Sequence, residues 1–159
     1  MKSYARYDHT GQAVKANLIE GLNVVLTLYN NQLKHGIELT TNYQEVPEIL
    51  CHPDELNQVW TNLIHNAIQA MSNQGRLDIV VFPQAEQIVV QITDSGVGIP
   101  AAIQDRIFEP FFTTKGAGEG SGLGLDIVKK IIDKHQGNIM VESQPGQTTF
   151  SIFLPMITA

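Results

Sequence analysis

The chain has 159 residues, 43% of them apolar, a net charge of −6 and a single cysteine. That length fits one domain with a sizeable core and argues against two. The acidic balance leaves no basic footprint for nucleic acid, Cys51 cannot close an intrachain disulfide, and no apolar run approaches the roughly 20 residues that span a bilayer.

MKSYARYDHT at the N-terminus lacks the apolar core of a signal peptide, so the sequence reads as a soluble chain in a reducing compartment. The first periodic segment is NLIEGLNVVLTLYNNQLK, residues 17–34, which opens on an Asn and Glu three apart and predicts a helix ended by His35-Gly36. GIELTTNYQ alternates as a strand does. After a proline-containing turn, CHPDELNQVWTNLIHNAIQAM predicts a second helix over 53–72, with Pro53, Asp54 and Glu55 in its first turn. RLDIVVFP and QIVVQIT, over 76–83 and 86–94, form two strands across a short polar turn and predict a hairpin, which is antiparallel because no crossover separates them. Residues 94–124 are glycine-rich and irregular, as functional or mobile loops are. SGLGLDIVKKIIDKHQG predicts a third helix over 121–136, and NIMVESQ and TTFSIFLP close the chain as strands. No repeat or low-complexity tract interrupts this order.

In the second helix Leu56, Val59, Trp60, Leu63, Ala67 and Ala70 or Met71 make one apolar stripe. Gln58, Asn62, Asn66 and Gln69 recur at steps of four and three, so their amides share another face. A solvated polar face explains that pattern, but Asn costs about half a kcal/mol against Ala inside a helix, and Lys or Glu would solvate better. An amide oxygen is also a hard neutral ligand suited to Mg²⁺.

The run TTKGAGEGSGLGL invites a phosphate reading. GxxxxGK[ST] is absent because Lys115 precedes the glycines, and GxGxxG does not fit Gly116, Gly118, Gly120, Gly122 and Gly124. What is left is either a linker or a flexible loop feeding a helix N-terminus, whose free N–H groups and dipole attract phosphate in an acidic protein. DSGVGIP, residues 94–100, raises a similar question, since a lone Asp at a strand end followed by two glycines reads by itself as an ordinary turn.

Together these stretches resemble the catalytic, ATP-binding domain of sensor histidine kinases, within the superfamily of gyrase, heat-shock chaperone, histidine kinase and mismatch-repair ATPases. NLIHNAIQAM resembles the N box, DSGVGIP the first G box, FEPFFTTK the F box and GEGSGLGLDIVKKI the second G box, in that order over residues 18–155. The resemblance, with the periodicities, implies an α/β two-layer sandwich: a mixed, mostly antiparallel sheet with three main helices on one face. By resemblance Asp94 accepts a hydrogen bond from the adenine amine, Gly96 and Gly98 let the backbone approach the base, and Thr148 helps through water. Asn66 is the implied Mg²⁺ ligand, Asn62 stands beside it as a catalytic-site residue, and Lys115 reaches the phosphates. Ala70, Ile99, Gly120, Ser121, Gly122, Leu123 and Gly124 complete the implied nucleotide contacts. His65 reads either as a polar-face residue or as a phosphate contact.

Hydrolytic branches of that superfamily carry a water-activating glutamate where this chain has Asn62, an amide with no usable base, so hydrolysis is expected to be poor. The implied activity is transfer of the γ-phosphoryl group of Mg·ATP to a histidine on a separate dimerisation domain, then to a response regulator. None of His9, His35, His52, His65 and His135 sits in the family's acceptor motif, so the sequence reads as a catalytic fragment, with residues 1–16 the tail of a preceding helical domain or linker and 17–159 the ATP-binding domain. The fragment is expected to be monomeric and cytoplasmic without direct membrane contact, and its parent dimeric, whether or not that parent is anchored. Gln69 and Gln147 replace a lysine and a glycine of many relatives, which points to modest nucleotide affinity. A serine kinase on the same fold and a nucleotide-binding module without transfer activity are the alternatives. The lid over 101–120, with Phe108, Phe111 and Phe112 as its anchor, is expected to be mobile until γ-phosphate orders it.

Overall fold

The computed structural model describes residues 12–110 and 124–157. In chain order these form β1 (Val14–Ala16), α1 (Leu18–Leu28), α2 (Asn30–Lys34), β2 (Ile37–Tyr43), β3 (Ile49–Cys51), α3 (Pro53–Ala70), β4 (Gly75–Gln84), β5 (Gln87–Asp94), a 3-10 turn (Ala101–Arg106), α4 (Leu125–Lys134), β6 (Asn138–Gln144) and β7 (Gln147–Pro155). The main sheet has five strands in the order β2-β4-β5-β7-β6, and β1 pairs with β3 in a separate two-stranded ribbon. The expected two-layer α/β sandwich is what the chain builds.

The predicted hairpin is present as β4 and β5, antiparallel from Leu77↔Asp94 to Gln84↔Gln87. Only β2 runs parallel to its neighbour β4, and α3 lies in the crossover that a parallel pair requires. Strand alternation turns Leu77, Ile79 and Val81 of β4, Ile88, Val90 and Ile92 of β5, and Phe150, Ile152 and Leu154 of β7 toward one buried face. The helices cover that face. α3 fills its centre with Leu56, Val59, Trp60, Leu63, Ile64, Ala67 and Ile68, all buried, and packs against α1 on one side and α4 on the other. Each of the Leu, Val and Ile side chains among them contributes about 1.5–3 kcal/mol by leaving water, so this layer contact is a large source of stability.

Three element boundaries differ from the sequence reading. The helix expected over 17–34 breaks at Tyr29, which ends α1 with its N–H on Val25 O and starts α2. Its side chain turns to α3 instead, where the hydroxyl meets His65 Nδ1 at 3.3 Å. The second helix stops at Ala70 rather than 72, because Ser72 and Asn73 take positive φ of 53° and 67° that a helix cannot continue. The third is described from Leu125 and ends at Lys134, where His135 caps it and Gln136 turns left-handed at φ 62°. At the N-terminal side, Val14–Ala16 pair with Ile49–Cys51, so ordered pairing begins before the division expected at residue 17.

The far ends of α3 and α4 are tied together. The His52 backbone N–H, at the N-cap of α3, donates to His135 Nε2 at 3.0 Å, and His135 Nδ1 meets Ile131 O at 2.8 Å. Since a carbonyl only accepts, the proton sits on Nδ1 and Nε2 is the acceptor. Burial lowers the His135 pKa from its ordinary value. Burial pushes the thiol of Cys51, on β3 opposite Val14 of β1, up to about 11, so it stays a thiol.

Candidate functional site

The strand registers build the site. Asp94, Thr148 and Ser143 are successive cross-strand neighbours on β5, β7 and β6, and all three share the helix-facing parity of the core positions below them. The row beneath is apolar, made by Ile79, Ile92, Phe150 and Val141. A carboxylate and two hydroxyls therefore close the sheet end over a hydrophobic floor. Asp94 and Thr148 are buried, at 5% and 3% exposure. Burial raises the Asp94 pKa above the usual carboxylate value, and the Gly96 N–H, donating to Oδ1 at 2.8 Å, opposes that rise.

The loop after β5 is pinned on both sides. Val97 N–H donates to Ala70 O at 3.3 Å, and a Cβ on Gly96 would lie 2.5 Å from that oxygen. Gly98 has φ +87°, and a Cβ there would lie 2.5 Å from Gln144 O. The sequence reading gave both glycines to close approach of a base. The crowding in the structure comes from the protein's own backbone, at the end of α3 and at the end of β6. Ile99 N–H donates to Ser143 Oγ at 2.7 Å, Ser143 and Thr148 hydroxyls share a hydrogen bond of 2.6 Å, and Gln104 Nε2 donates to Ile99 O at 2.8 Å. Ser143 and Gln104 were missed from sequence. Pairing the two last predicted strands as a hairpin would have set Ser143 beside Thr148.

On α3, Asn66 is half-buried and Asn62 is fully buried, so the amide face is not uniformly solvated. Gln58 and Gln69 are its exposed members. Asn62 Nδ2 donates to Gly124 O at 2.8 Å, and Asn62 Oδ1 accepts from Gln58 Nε2 at 2.6 Å. Gly124 is the N-cap of α4, whose first N–H groups lack intrahelical partners. The helix named for its spacing of amides is thereby joined to the helix that follows the glycine run. His65 sits against Tyr29, with ring centroids 6.0 Å apart. Phe108 packs edge-on to Phe150 at 6.3 Å, as the expected anchor of its segment. Lys115, Gly120, Ser121, Gly122 and Leu123, with Phe111, Phe112 and the expected lid motion beyond residue 110, lie outside the described residues.

Among the described residues no group of three or more His, Cys, Asp or Glu could hold a metal by itself. A magnesium ion fits this site only in the way it often binds, with one protein oxygen and the remaining positions filled by water and substrate phosphate. The half-buried amide of Asn66 offers such an oxygen. No helix among the described residues is long and apolar enough to cross a membrane.

Residues 51–158 match the family described as histidine kinase-, DNA gyrase B-, and HSP90-like ATPase. Sensor histidine kinase ZraS of Escherichia coli (strain K12) is 40% identical over 147 residues, covering 91% of this chain and 31% of that protein. Sensory histidine kinase/phosphatase NtrB of Vibrio alginolyticus is 36% identical, covering 92% of this chain and 45% of its own length. The chain thus spans less than half of these curated relatives. Among solved structures, a nucleotide-free catalytic domain of histidine kinase ThkA superposes with a TM-score of 0.84 at 31% identity, covering 92% of this chain and 97% of that one. ThkA was also solved in complex with the response regulator protein TrrA, where the match has a TM-score of 0.78 at 29% identity and covers 91% of this chain and 42% of that one.

Proposed function

The chain belongs to the histidine kinase-, DNA gyrase B-, and HSP90-like ATPase family, a nucleotide-binding fold, and we propose that it is the ATP-binding catalytic domain of a sensor histidine kinase. In this reading it positions Mg·ATP so that the γ-phosphoryl group passes to a histidine on the dimerisation domain of a homodimeric parent, and from there to a response regulator receiver domain. ThkA, with its response regulator complex, is the precedent for that last partner. The domain acts in the cytoplasm, where ATP is available.

The observation that carries the reading is the buried Asp94 at the end of β5, set beside Thr148 above an apolar row. Adenine is a flat apolar ring with a donor amine on its edge. A carboxylate with one oxygen on Gly96 N–H keeps acceptor capacity for that amine, and the floor of Ile92 and Phe150 suits the ring. The Ser143–Thr148–Ile99 network fixes the hydroxyl row that borders it. Asn66 would hold the magnesium ion, which when bound neutralises triphosphate charge. The N–H groups opening α4 would receive phosphate oxygens, with Lys115 and Gly120 to Leu123 contributing by motif resemblance.

In the transfer, the bond between γ-phosphorus and the β,γ-bridging oxygen breaks, ADP leaves with its electron pair, and a bond to the acceptor imidazole nitrogen forms. This protein's part is orientation and charge neutralisation, because no side chain at Asn62 can act as a base. The test mixes the domain with radiolabelled Mg·ATP and the phosphoacceptor domain of the full-length protein. Acid-labile label on that domain is expected. Acid-stable label on serine would assign the serine-kinase alternative, and nucleotide binding without label would leave a binding module.

A further inference from the structure

We infer that Gln58, which neither the motifs nor the nucleotide reading assigns, is a positioning residue for the phosphate end of the site, acting through Asn62. The direction of every hydrogen bond in the relay follows from one atom. Gly124 O is a carbonyl and can only accept, so Asn62 must present Nδ2 to it, at 2.8 Å. That turns Asn62 Oδ1 the other way, where it needs a donor, and Gln58 Nε2 supplies one at 2.6 Å. Asn62 is 0% exposed, so water does not replace that donor. Gln58 is exposed and one turn earlier on the same helix, where a purely solvating residue could have been of almost any polar type.

What the relay holds is the start of α4 against α3. Gly124 carries the N-cap position, and the N–H groups just after it are the ones a phosphate would use. Asn66, one turn beyond Asn62, carries the oxygen for the metal. The relay therefore sets the spacing between the two phosphate-side components, while the adenine end at Asp94, Thr148 and Gly96 is fixed by separate bonds. Without Gln58 the buried Oδ1 loses its donor, the Asn62 amide can rotate, and the hold on Gly124 loosens. The inference rests on the nucleotide reading above, and its signature is a split: phosphate-dependent binding should weaken while adenosine binding should not.

Calorimetry of the intact chain with a non-hydrolysable Mg·ATP analogue and, separately, with adenosine reads that split. Gln58→Met keeps the side-chain length and removes the donor without adding charge. Analogue affinity is expected to fall roughly five- to tenfold with adenosine affinity within about twofold of wild type. The loss should disappear when Gln58→Met is made in an Asn62→Ala background, since the relay is already cut there. If Asn62→Ala does not fold, the Asn62 side-chain amide protons give the same answer by NMR, exchanging slowly in wild type and rapidly in Gln58→Met. Unchanged analogue affinity, or parallel loss of analogue and adenosine, overturns the inference. A wild-type chain that binds neither ligand overturns the functional reading, and this inference with it.

Discussion

The two ends of α3 are held by different chemistry. At its C-terminal end Ala70 O receives Val97 N–H and Gly96 lies against the same carbonyl, while at mid-helix Asn62 reaches Gly124 through an amide. At its N-terminal end the tie to α4 runs through the imidazole of His135 and, outside it, the Lys134–Glu55 ion pair of 2.7 Å. Backbone and amide groups keep their donor and acceptor roles across the whole pH range of a cell, whereas an imidazole exchanges an acceptor for a donor on protonation. The Asp94 end is thereby held mostly by groups that keep their roles as proton concentration changes, with the ionisable Asp94 and His65 as the exceptions, and the far end depends on an imidazole for its tie.

Gly96→Val should break the comparison most severely. Even a Cβ would lie 2.5 Å from Ala70 O and 2.7 Å from Ala70 C, both backbone atoms at a helix end, so the loop and α3 must separate. Destabilisation of about 2–3 kcal/mol is expected in urea unfolding, together with loss of nucleotide binding. Asn62→Asp comes next. It places an oxygen against Gly124 O inside the protein, and a loss on the order of 2 kcal/mol is expected with no gain in ATP hydrolysis. A phosphate-release assay showing enhanced hydrolysis would mean that the position is free to act on water rather than committed to the clamp.

That second prediction marks where reading the sequence stops. The hairpin of β4 and β5 and the long helix α3 were legible because alternation and helical spacing are local signals, the ordered boxes pointed to Asp94 and Asn66, and the resemblance of the closing TTF run pointed to Thr148. The burial of Asn62 was not legible, because its spacing put it on a polar face and its partner Gly124 is 62 residues away. The break at Tyr29 carries no proline or glycine, and what accompanies it is a side chain turned to His65 on another helix, a contact 36 residues away in sequence. The three-residue strands β1 and β3 are too short to show alternation and exist only through their pairing. Ser143 and Gln104 needed the register of β6 against β7 before their roles could be seen.

A smaller effect tests the far end. Because the His135 pKa is lowered in the folded state, the unfolded chain takes up the proton first as pH falls, so stability is full above the ordinary value of 6.5 and declines below it. Protonation also places a second donor opposite His52 N–H. His135→Gln, which retains an acceptor and cannot titrate, should flatten melting temperature between pH 7 and pH 5, and an unchanged slope would show that other groups govern it. Lys134→Ala should be smallest, within about 0.5 kcal/mol, because its partner is reached across a solvent-exposed surface. Salt titration of the wild type provides the same check.

The most direct measurement is calorimetry of Mg·ATP analogue binding to the wild-type chain and to Asp94→Asn, repeated as pH is lowered. Asparagine keeps one acceptor and offers a donor where the carboxylate had none, so a loss on the order of 1–3 kcal/mol is expected. Burial holds the Asp94 pKa above 3.8, so wild-type affinity should begin to fall on acidification before an ordinary aspartate would titrate, and that fall should be absent from Asp94→Asn. Equal affinity of the two proteins at neutral pH would contradict the assignment of Asp94 as the adenine-reading group and, with it, the placement of the nucleotide at the end of β5.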